Sequence, residues 1–371
     1  MQKQLILLYD YFRLLVINSF RKLLFKNLPP NYTPSKILIV RKGTIGDHVV
    51  CQPFYLAFNA IFKDAQIDLL TSNGKNEYGH IGKLPEHVLF ANTYNFEDYQ
   101  ISELHAKIRE QHYNMVIEFP QDLDTVYTQI RNMLFYRSCK IKYGLGWSIG
   151  NSYFLKAYRY FHFLQPRQFD KHKSTLIKQG FTYPIAEKYL VEDMKNIDTF
   201  DLPSQYIVIA PGAKFSSKAW SISNYKNLAK RLIQKDYKVV IVGNANEGEA
   251  WKEFSQVLNL AGKTSITEMK IILKNAMLFI GNDSGPMHLA YSVNTPLVVL
   301  FGSRNYPKTW WPPERDNVVV IHHAMANNPV AFINLEHTKK AVKNCGNLES
   351  ITVEEVLNEA LKQLAQNKIG V

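Results

Sequence analysis

Leu278 to Gly302 reads LFIGNDSGPMHLAYSVNTPLVVLFG, and its reading decides the fold class. Leu278, Phe279 and Ile280 form a short apolar run expected as a buried strand. Gly281-Asn282-Asp283-Ser284-Gly285 is a turn of small and polar residues. Pro286 stands where a helix takes its first residue, because its missing N–H has no intrahelical partner there anyway. Met287 to Val293 are expected as a short helix stopped by Asn294-Thr295-Pro296, and Leu297 to Phe301 as a second buried strand. Strand, glycine turn and helix start leave backbone N–H groups free for an anion. His288, in the first helical turn, adds a side-chain donor. The expectation is a diphosphate pocket, although an ordinary βα turn of a doubly wound domain would read the same over this stretch.

The same grammar recurs on both sides. In the second half, Tyr206 to Ala210 is a strand, Pro211-Gly212-Ala213 a turn, Asn224 to Lys235 a helix, and Lys238 to Val242 a strand ending at Gly243. Ala261 to Ser265 lead into a helix over Ile266 to Asn275, and Val318 to Ile321 is a last strand. Thr352 to Gln366 is a terminal helix with Thr352 as N-cap and Glu355 at the capping-box position. In the first half, Leu28 to Pro34 reads as a linker, Lys36 to Val40 as a strand, and Arg41 to Asp47 as a turn before a helix from about His48 to Phe62. Gln66 to Thr71 and Met115 to Phe119 are further strands. Phe135 to about Phe200 is aromatic and basic with few clear strands, read as the end of the first domain and a crossover, with Asp201-Leu202-Pro203 as the boundary. Strands alternating with helices mean an α/β chain with parallel sheets covered on both faces. The expected division is residues 1–33 as an N-terminal helix and linker, 34–200 and 201–350 as two Rossmann-like domains, and 351–371 as a C-terminal helix. Two such domains in tandem place a ligand cleft between them, at the carboxyl ends of the strands.

A chain of 371 residues, 46% of them hydrophobic, can bury two cores of ordinary size. Lys and Arg outnumber Asp and Glu by 44 to 32, and the resulting +12 favours an anionic partner. Cys51, Cys139 and Cys345 form no CxxC pair, so neither zinc nor a disulfide framework is indicated and a reducing cytoplasm fits. No apolar run is long enough to span a bilayer. Near the start, Leu5, Leu8, Phe12, Leu15 or Val16, and Leu23 recur at helical spacing, with Arg13, Arg21, Lys22 and Lys26 largely opposite. That pattern fits an amphipathic helix on an anionic membrane surface, or one packed on the protein itself. It does not fit a cleavable signal, whose apolar core would be uncharged.

Glycine-bearing turns stand at strand ends at Gly43 to Asp47, Pro211 to Ala213, Gly243 to Glu249 and Gly281 to Gly285. None is G-x-G-x-x-G after a first strand and none is G-x-x-x-x-G-K-[ST], which argues against a nicotinamide enzyme and a P-loop NTPase. RKGTIGDHVVCQP, PGA with a following Lys and Trp, and IGNDSGPMHLA before PLVVLFG together resemble glycosyltransferase family 9, the lipopolysaccharide heptosyltransferase family. The resemblance runs from about Lys36 to Glu359. It implies a GT-B fold, in which two Rossmann-like domains face each other across a cleft, donor on the second and acceptor on the first. It also implies inverting, metal-independent transfer from a nucleotide diphosphate sugar with no cofactor, ADP-heptose being the family's commonest donor.

Through that resemblance Asp47 falls on the catalytic base, a role a carboxylate can fill by taking the acceptor hydroxyl's proton; capping the following helix is its other reading. Lys218 matches a donor-contacting lysine that can offset charge on the departing diphosphate. Glu247 matches an acidic residue at the nucleotide ribose, with Glu249 close enough in register to compete. Asp283, Ser284, Gly285, Met287 and His288 form the signature over diphosphate and donor sugar. Asp283 would avoid phosphate, accepting from sugar hydroxyls or holding the turn. Arg41, Lys42 and Gly46 lie on the acceptor side, where two cations suit an acidic or phosphorylated glycan. Trp310 and Trp311 can stack on a sugar or base, or pack between domains. Asp122-Leu123-Asp124 has metal-binding D-x-D spacing but sits away from the donor signature, and His322-His323 with His288 lacks matching ligands, so no metal is assigned. The expected protein is a cytoplasmic enzyme peripheral to the inner membrane, acting on a lipopolysaccharide or related cell-surface glycan. A GT-B epimerase of nucleotide sugars and a non-catalytic anion-binding protein are the alternatives, and dispersed basic residues disfavour nucleic acid.

Overall fold

Lys36 to Arg41 is apolar through its middle, as a strand buried on both faces must be. It forms β1 (Lys36–Arg41) at the centre of a parallel sheet. The computed structural model describes residues 2–72, 89–121, 124–148, 167–190, 200–214, 218–302, 309–323 and 347–369. Asp122, Cys345 and residues 306–308 of the aromatic loop lie outside these.

The chain divides into two compact units, Met1–Tyr189 and Leu190–Val371. The first contains β2 (Gln66–Thr71), β3 (Thr93–Asn95), β4 (Met115–Phe119) and β5 (Tyr143–Leu145), in the order β3-β2-β1-β4-β5. Its helices are α1 (Gln2–Leu24), α2 (Ile45–Ile61), α3 (Ile101–Glu110), α4 (Val126–Ser138) and α5 (Gln168–Lys178). The second contains β6 (Ile207–Ala210), β7 (Val239–Ile241), β8 (Leu258–Asn259), β9 (Leu278–Asn282), β10 (Leu297–Leu300) and β11 (Val318–Ile321), in the order β11-β10-β9-β6-β7-β8. Its helices are α6 (Ile222–Ile233), α7 (Ala245–Glu249), α8 (Ile266–Lys274), α9 (Gly285–Ser292) and α10 (Val353–Ile369). Both sheets have the strand order of the doubly wound dinucleotide-binding fold, so the expected pair of Rossmann-like domains is observed. In that order the winding reverses between β1 and β4 and again between β6 and β9. Ligands of such sheets bind outside the carboxyl ends of the strands at the reversal.

Several boundaries differ from expectation. Thr44 caps α2, so the helix starts at Ile45 and takes Gly46 and Asp47 into its first turn. α9 likewise starts at Gly285, with Ser284 as N-cap and Pro286 inside its first turn. The stretch after Phe135 holds β5 and α5, elements too short or too polar to declare themselves by periodicity. Leu190, at the start of the second unit, has its carbonyl bonded by the buried Lys270 ammonium at 3.0 Å. α10 is part of the second unit's core: Val356, Leu357, Ala360 and Leu364 are buried with Leu228 and Leu232 of α6.

α1 packs against α4 with an unexpected face inward. Ile17 is buried on it beside Arg13 and Arg21, and Phe25, just past its end, stacks on Trp147 at 5.1 Å. Leu8, Phe12, Leu15 and Leu23 are exposed instead. The arginines reach inward because the first unit offers acceptors there, such as the Gly144 carbonyl that Arg21 meets at 3.4 Å.

Two histidines in the first unit are buried without charge. His172 of α5 lies edge-on to Phe54 and Phe119, and neither ring nitrogen has a hydrogen-bond partner among the described residues. Burial, with Arg41 and Lys171 nearby, holds its pKa well below the usual value; burial and Arg41 do the same for His48. On unfolding both recover the ordinary pKa of about 6.5 and take up protons, so stability falls as pH drops below that, by about 1.4 kcal/mol per pH unit for each. Glu118 opposes them. Burial pushes its carboxyl up to about 7, so its contribution is full below 4.5 and lost as pH rises through 7. Melting curves between pH 6.5 and 5 should therefore show net acid destabilisation, and His172→Leu should make that dependence shallower; an unchanged slope would exonerate His172.

Candidate active site

Asn282 ends β9 at the reversal of the second sheet and is wholly buried. Its Oδ1 accepts from the Trp220 backbone N–H (3.1 Å) and the Tyr225 hydroxyl (2.9 Å), while its Nδ2 donates to the Pro211 carbonyl (2.7 Å) and, more weakly, to that of Gly212 (3.4 Å). One amide thus ties the end of β9 to the PGA turn after β6 and to the segment carrying Lys218. Trp220 is anchored from its other side, its indole N–H donating to the Ile351 carbonyl at 3.0 Å and its ring meeting Tyr225 edge-on at 4.9 Å. The sequence reading gave Asn282 and Tyr225 no role. A small polar residue in a turn carries no local signal that its bonds lie 57 to 71 residues away.

The neighbouring side chains complete a polar cluster. Lys218 Nζ pairs with Asp283 Oδ2 at 2.6 Å, both side chains largely buried. His288 Nε2 lies 4.0 Å from Asp283 Oδ1. Asp283 therefore orients a cation on one oxygen and faces an imidazole with the other. Among the described residues the buried Ser284 hydroxyl has no hydrogen-bond partner, and it makes no side-chain bond to the helix it precedes. An unspent hydroxyl at the positive end of α9 suits a phosphate oxygen. Gly285 opens that helix, whereas Met287 is fully buried and contributes packing beneath the turn.

Glu247 joins this neighbourhood. A Cβ at Gly212 would lie 1.9 Å from its carboxyl carbon, so the PGA turn passes directly over the Glu247 carboxylate and a larger residue there would push it aside. The carboxylate accepts from the Asn244 backbone N–H at 2.9 Å and from its side-chain amide at 2.7 Å. Glu249 is exposed and paired with Lys252 at 2.6 Å, an ordinary solvated pair.

In the first unit, Asp47 makes both of its expected uses compatible. Oδ2 accepts from the Thr44 backbone N–H (2.8 Å) and hydroxyl (3.1 Å), capping α2, and Oδ1 accepts from Arg41 Nη2 at 2.7 Å. Gly43 adopts φ +137°, and a Cβ there would stand 2.4 Å from the Asp47 carboxyl carbon, so the turn requires glycine. Arg41 differs from expectation. It is 1% exposed, and Nη1 donates to the Phe119 and Pro120 carbonyls at 3.0 Å each, bridging the reversal between β1 and β4. Such an arginine orients Asp47 and offers little to an acceptor. Lys42 is half-buried with its ammonium over the Phe96 ring at 3.9 Å, and Gly46 is buried in the first turn of α2.

The expected decoys scatter. Asp124 accepts from the Gln121 N–H at 2.8 Å, closing a turn. His322 meets the Phe301 carbonyl at 3.1 Å, while His323 lies between Ser350 and Glu355 at 2.9 Å each. Among the described residues no group of three His, Cys, Asp or Glu could hold a metal ion. Trp310 packs edge-on to His288 at 5.9 Å, and Trp311 lies against Phe301 and His322.

The family model "Glycosyltransferase family 9 (heptosyltransferase)" matches residues 101–337, well over half of the chain. The chain belongs to glycosyltransferase family 9. It is 26% identical over 321 residues to the Haemophilus influenzae lipooligosaccharide heptosyltransferase 2, covering 77% of this chain and 88% of that one. Among solved structures it is similar to Escherichia coli ADP-heptose lps heptosyltransferase II, with TM-score 0.62 and 23% identity over 90% of this chain and 99% of that one. It is also similar to a family 9 glycosyl transferase from Veillonella parvula, with TM-score 0.68 and 17% identity over 90% and 98%. This family 9 protein is therefore a glycosyltransferase with the two Rossmann-like domains of the GT-B fold. The polar cluster around Asn282 and Asp283 falls inside the matched residues and the Asp47 turn before them.

Proposed function

We propose that this enzyme transfers a heptose from ADP-heptose, with inversion and without a metal, to the phosphorylated inner core of lipopolysaccharide or a related lipid-linked glycan. The observation that carries the reading is the cluster at the reversal of the second sheet: Asn282 fixes the turn, and Lys218, the Ser284 hydroxyl, His288 and the first N–H groups of α9 supply donors suited to a diphosphate. The donor specificity follows the heptosyltransferases to which the chain is similar.

In this mechanism the second unit holds the donor and the first takes the acceptor. Asp47 Oδ1 accepts the proton of the acceptor hydroxyl as its oxygen attacks the anomeric carbon. Arg41 holds that carboxylate in place. As the bond to the diphosphate breaks, negative charge grows on the leaving oxygens, and Lys218, His288 and the α9 N-terminus stabilise it, the work a divalent ion does in other transferases. Lys218 must exchange Asp283 Oδ2 for phosphate when donor binds, and that oxygen can then accept from sugar hydroxyls. Glu247 is suited to the ribose hydroxyls.

The enzyme works at the cytoplasmic face of the inner membrane, where α1 seats its exposed Leu8, Phe12, Leu15 and Leu23 in the interface beside the exposed Lys22. Purified protein incubated with ADP-heptose and a heptose-deficient core acceptor should form product in the presence of EDTA, and among nucleotide sugars ADP-heptose should protect best against thermal unfolding. Transfer abolished by EDTA and restored by manganese, or no protection by any ADP-sugar, would refute the reading. Leu15→Glu with Leu23→Glu should release the protein from phosphatidylglycerol-containing vesicles and leave transfer to a water-soluble acceptor intact.

A further inference from the structure

His288 and Tyr291 stand three residues apart on α9, a spacing that brings helical side chains onto one face. Both are buried, at 4% and 2% exposure. His288 Nδ1 lies 3.1 Å from the Tyr291 hydroxyl, and the two rings meet edge-on at 5.4 Å. Trp310 closes on the imidazole edge-on from another side at 5.9 Å. On its remaining side Nε2 faces Asp283 Oδ1 at 4.0 Å, the carboxylate whose other oxygen holds Lys218.

A neutral imidazole in this position has two tautomers. With the proton on Nδ1, the phenol must accept, and the Nε2 lone pair points at a carboxylate. With the proton on Nε2, the phenol donates to Nδ1 and a positive N–H edge faces the carboxylate. Electrostatics favours the second arrangement, and only a group that can donate to Nδ1 supports it. The same hydroxyl can accept if the ring becomes doubly protonated, so it serves either charge state.

We propose that Tyr291 is a positioning residue for the transfer reaction, holding His288 in the orientation and tautomer that present Nε2–H to the diphosphate of the bound nucleotide. This rests on the reading of the second-unit cluster as the donor site. Without the phenol hydroxyl, Nδ1 competes for the proton and the ring presents a lone pair to an anion in a fraction of molecules.

The test is Tyr291→Phe, which removes one oxygen and keeps the ring that packs against His288. ADP affinity is measured by calorimetry from pH 5.5 to 8.5 for the wild type, Tyr291→Phe, His288→Ala and the double variant, with imidazole ¹⁵N shifts reporting the tautomer. Tyr291→Phe should weaken ADP at neutral pH by roughly three- to ten-fold, the worth of one hydrogen bond, and alter the pH dependence. It should also raise the Nδ1–H population, and it should have no further effect once His288 is alanine. An equal loss in the presence and absence of His288 would overturn the proposal and make Tyr291 a packing residue. If His288→Ala binds ADP as tightly as the wild type, the donor-site reading of His288 itself fails, an outcome distinct from failure of Tyr291→Phe alone.

Discussion

Asp47→Asn is expected to lower the rate of sugar transfer by about 10²- to 10⁴-fold, the usual contribution of a positioned general base, while changing affinity for the nucleotide-sugar donor by no more than a few-fold. The groups proposed to hold the donor belong to the second unit and Asp47 to the first, so the two effects should separate. The choice of asparagine matters because Asp47 is structural as well. Alanine would leave the Arg41 guanidinium, 1% exposed, facing an empty site, and an uncompensated buried charge costs about 3–5 kcal/mol. Asparagine is also neutral, so the charge of the ion pair is lost with it too, but it keeps an oxygen to accept from Arg41 Nη2 and leaves that buried donor bonded, which lowers the cost. It sets an NH2 group against the Thr44 N–H in place of Oδ2, which costs about 1 kcal/mol of helix capping. A rate loss in protein that is still folded at the assay temperature and still binds the nucleotide-sugar donor assigns the effect to proton transfer. Near-full transfer by Asp47→Asn would remove Asp47 from the chemistry.

Asn282→Asp should be the most damaging conservative change in the second unit. It keeps the shape of the side chain and the oxygen that accepts from Trp220 and Tyr225. It replaces the Nδ2 donor with a carboxylate oxygen aimed at the Pro211 carbonyl, 2.7 Å from the present nitrogen, with the Gly212 carbonyl beyond it. Two acceptors then face each other in a site with no water access. The loss of the bonds and the buried charge together predict destabilisation of the second unit by about 3 kcal/mol or more. Because the same amide holds the PGA turn and the Lys218 segment, ADP affinity should fall by more than tenfold. Thermal unfolding and calorimetric titration with ADP measure both. A variant that melted like the wild type and bound ADP normally would show that the turn is held by other means.

The local parts of this site are plain in the residues. Gly43 before a helix, PGA after a strand, and a serine followed by Gly-Pro at a helix start are each set by backbone geometry within a few residues, so pattern reading finds them. Asp47 and Asp283 lie within two of these turns, and the family resemblance, which the turn residues carry, is what singled them out. The arginine beside Asp47 shows where such reading stops. RK after a strand reads as two exposed cations, yet Arg41 turns inward because carbonyls at the end of β4, some 80 residues later, offer it partners. Lys42, one position on, stays half-buried over Phe96.

α1 gives the same lesson for a surface. Its apolar and basic faces are readable from helical periodicity, but which face packs depends on what the first unit presents to it. Carbonyls such as that of Gly144 favour the arginine side, and the leucines are left outside.

By itself the amino-acid sequence determined the alternation of strands and helices, the strand-end turns and the family membership, because periodicity, glycine turns and capping residues act over a few neighbouring positions. Only the tertiary structure decided the partners. The Asn282 amide binding two distant turns, the buried Arg41 behind Asp47, the Asn244 amide at Glu247 and the Tyr291 hydroxyl at His288 all depend on which groups lie within about 3 Å once the sheets are wound. Hydrogen bonds and buried charges are that short in range, and the path of the chain between partners leaves no mark in the residues at either end.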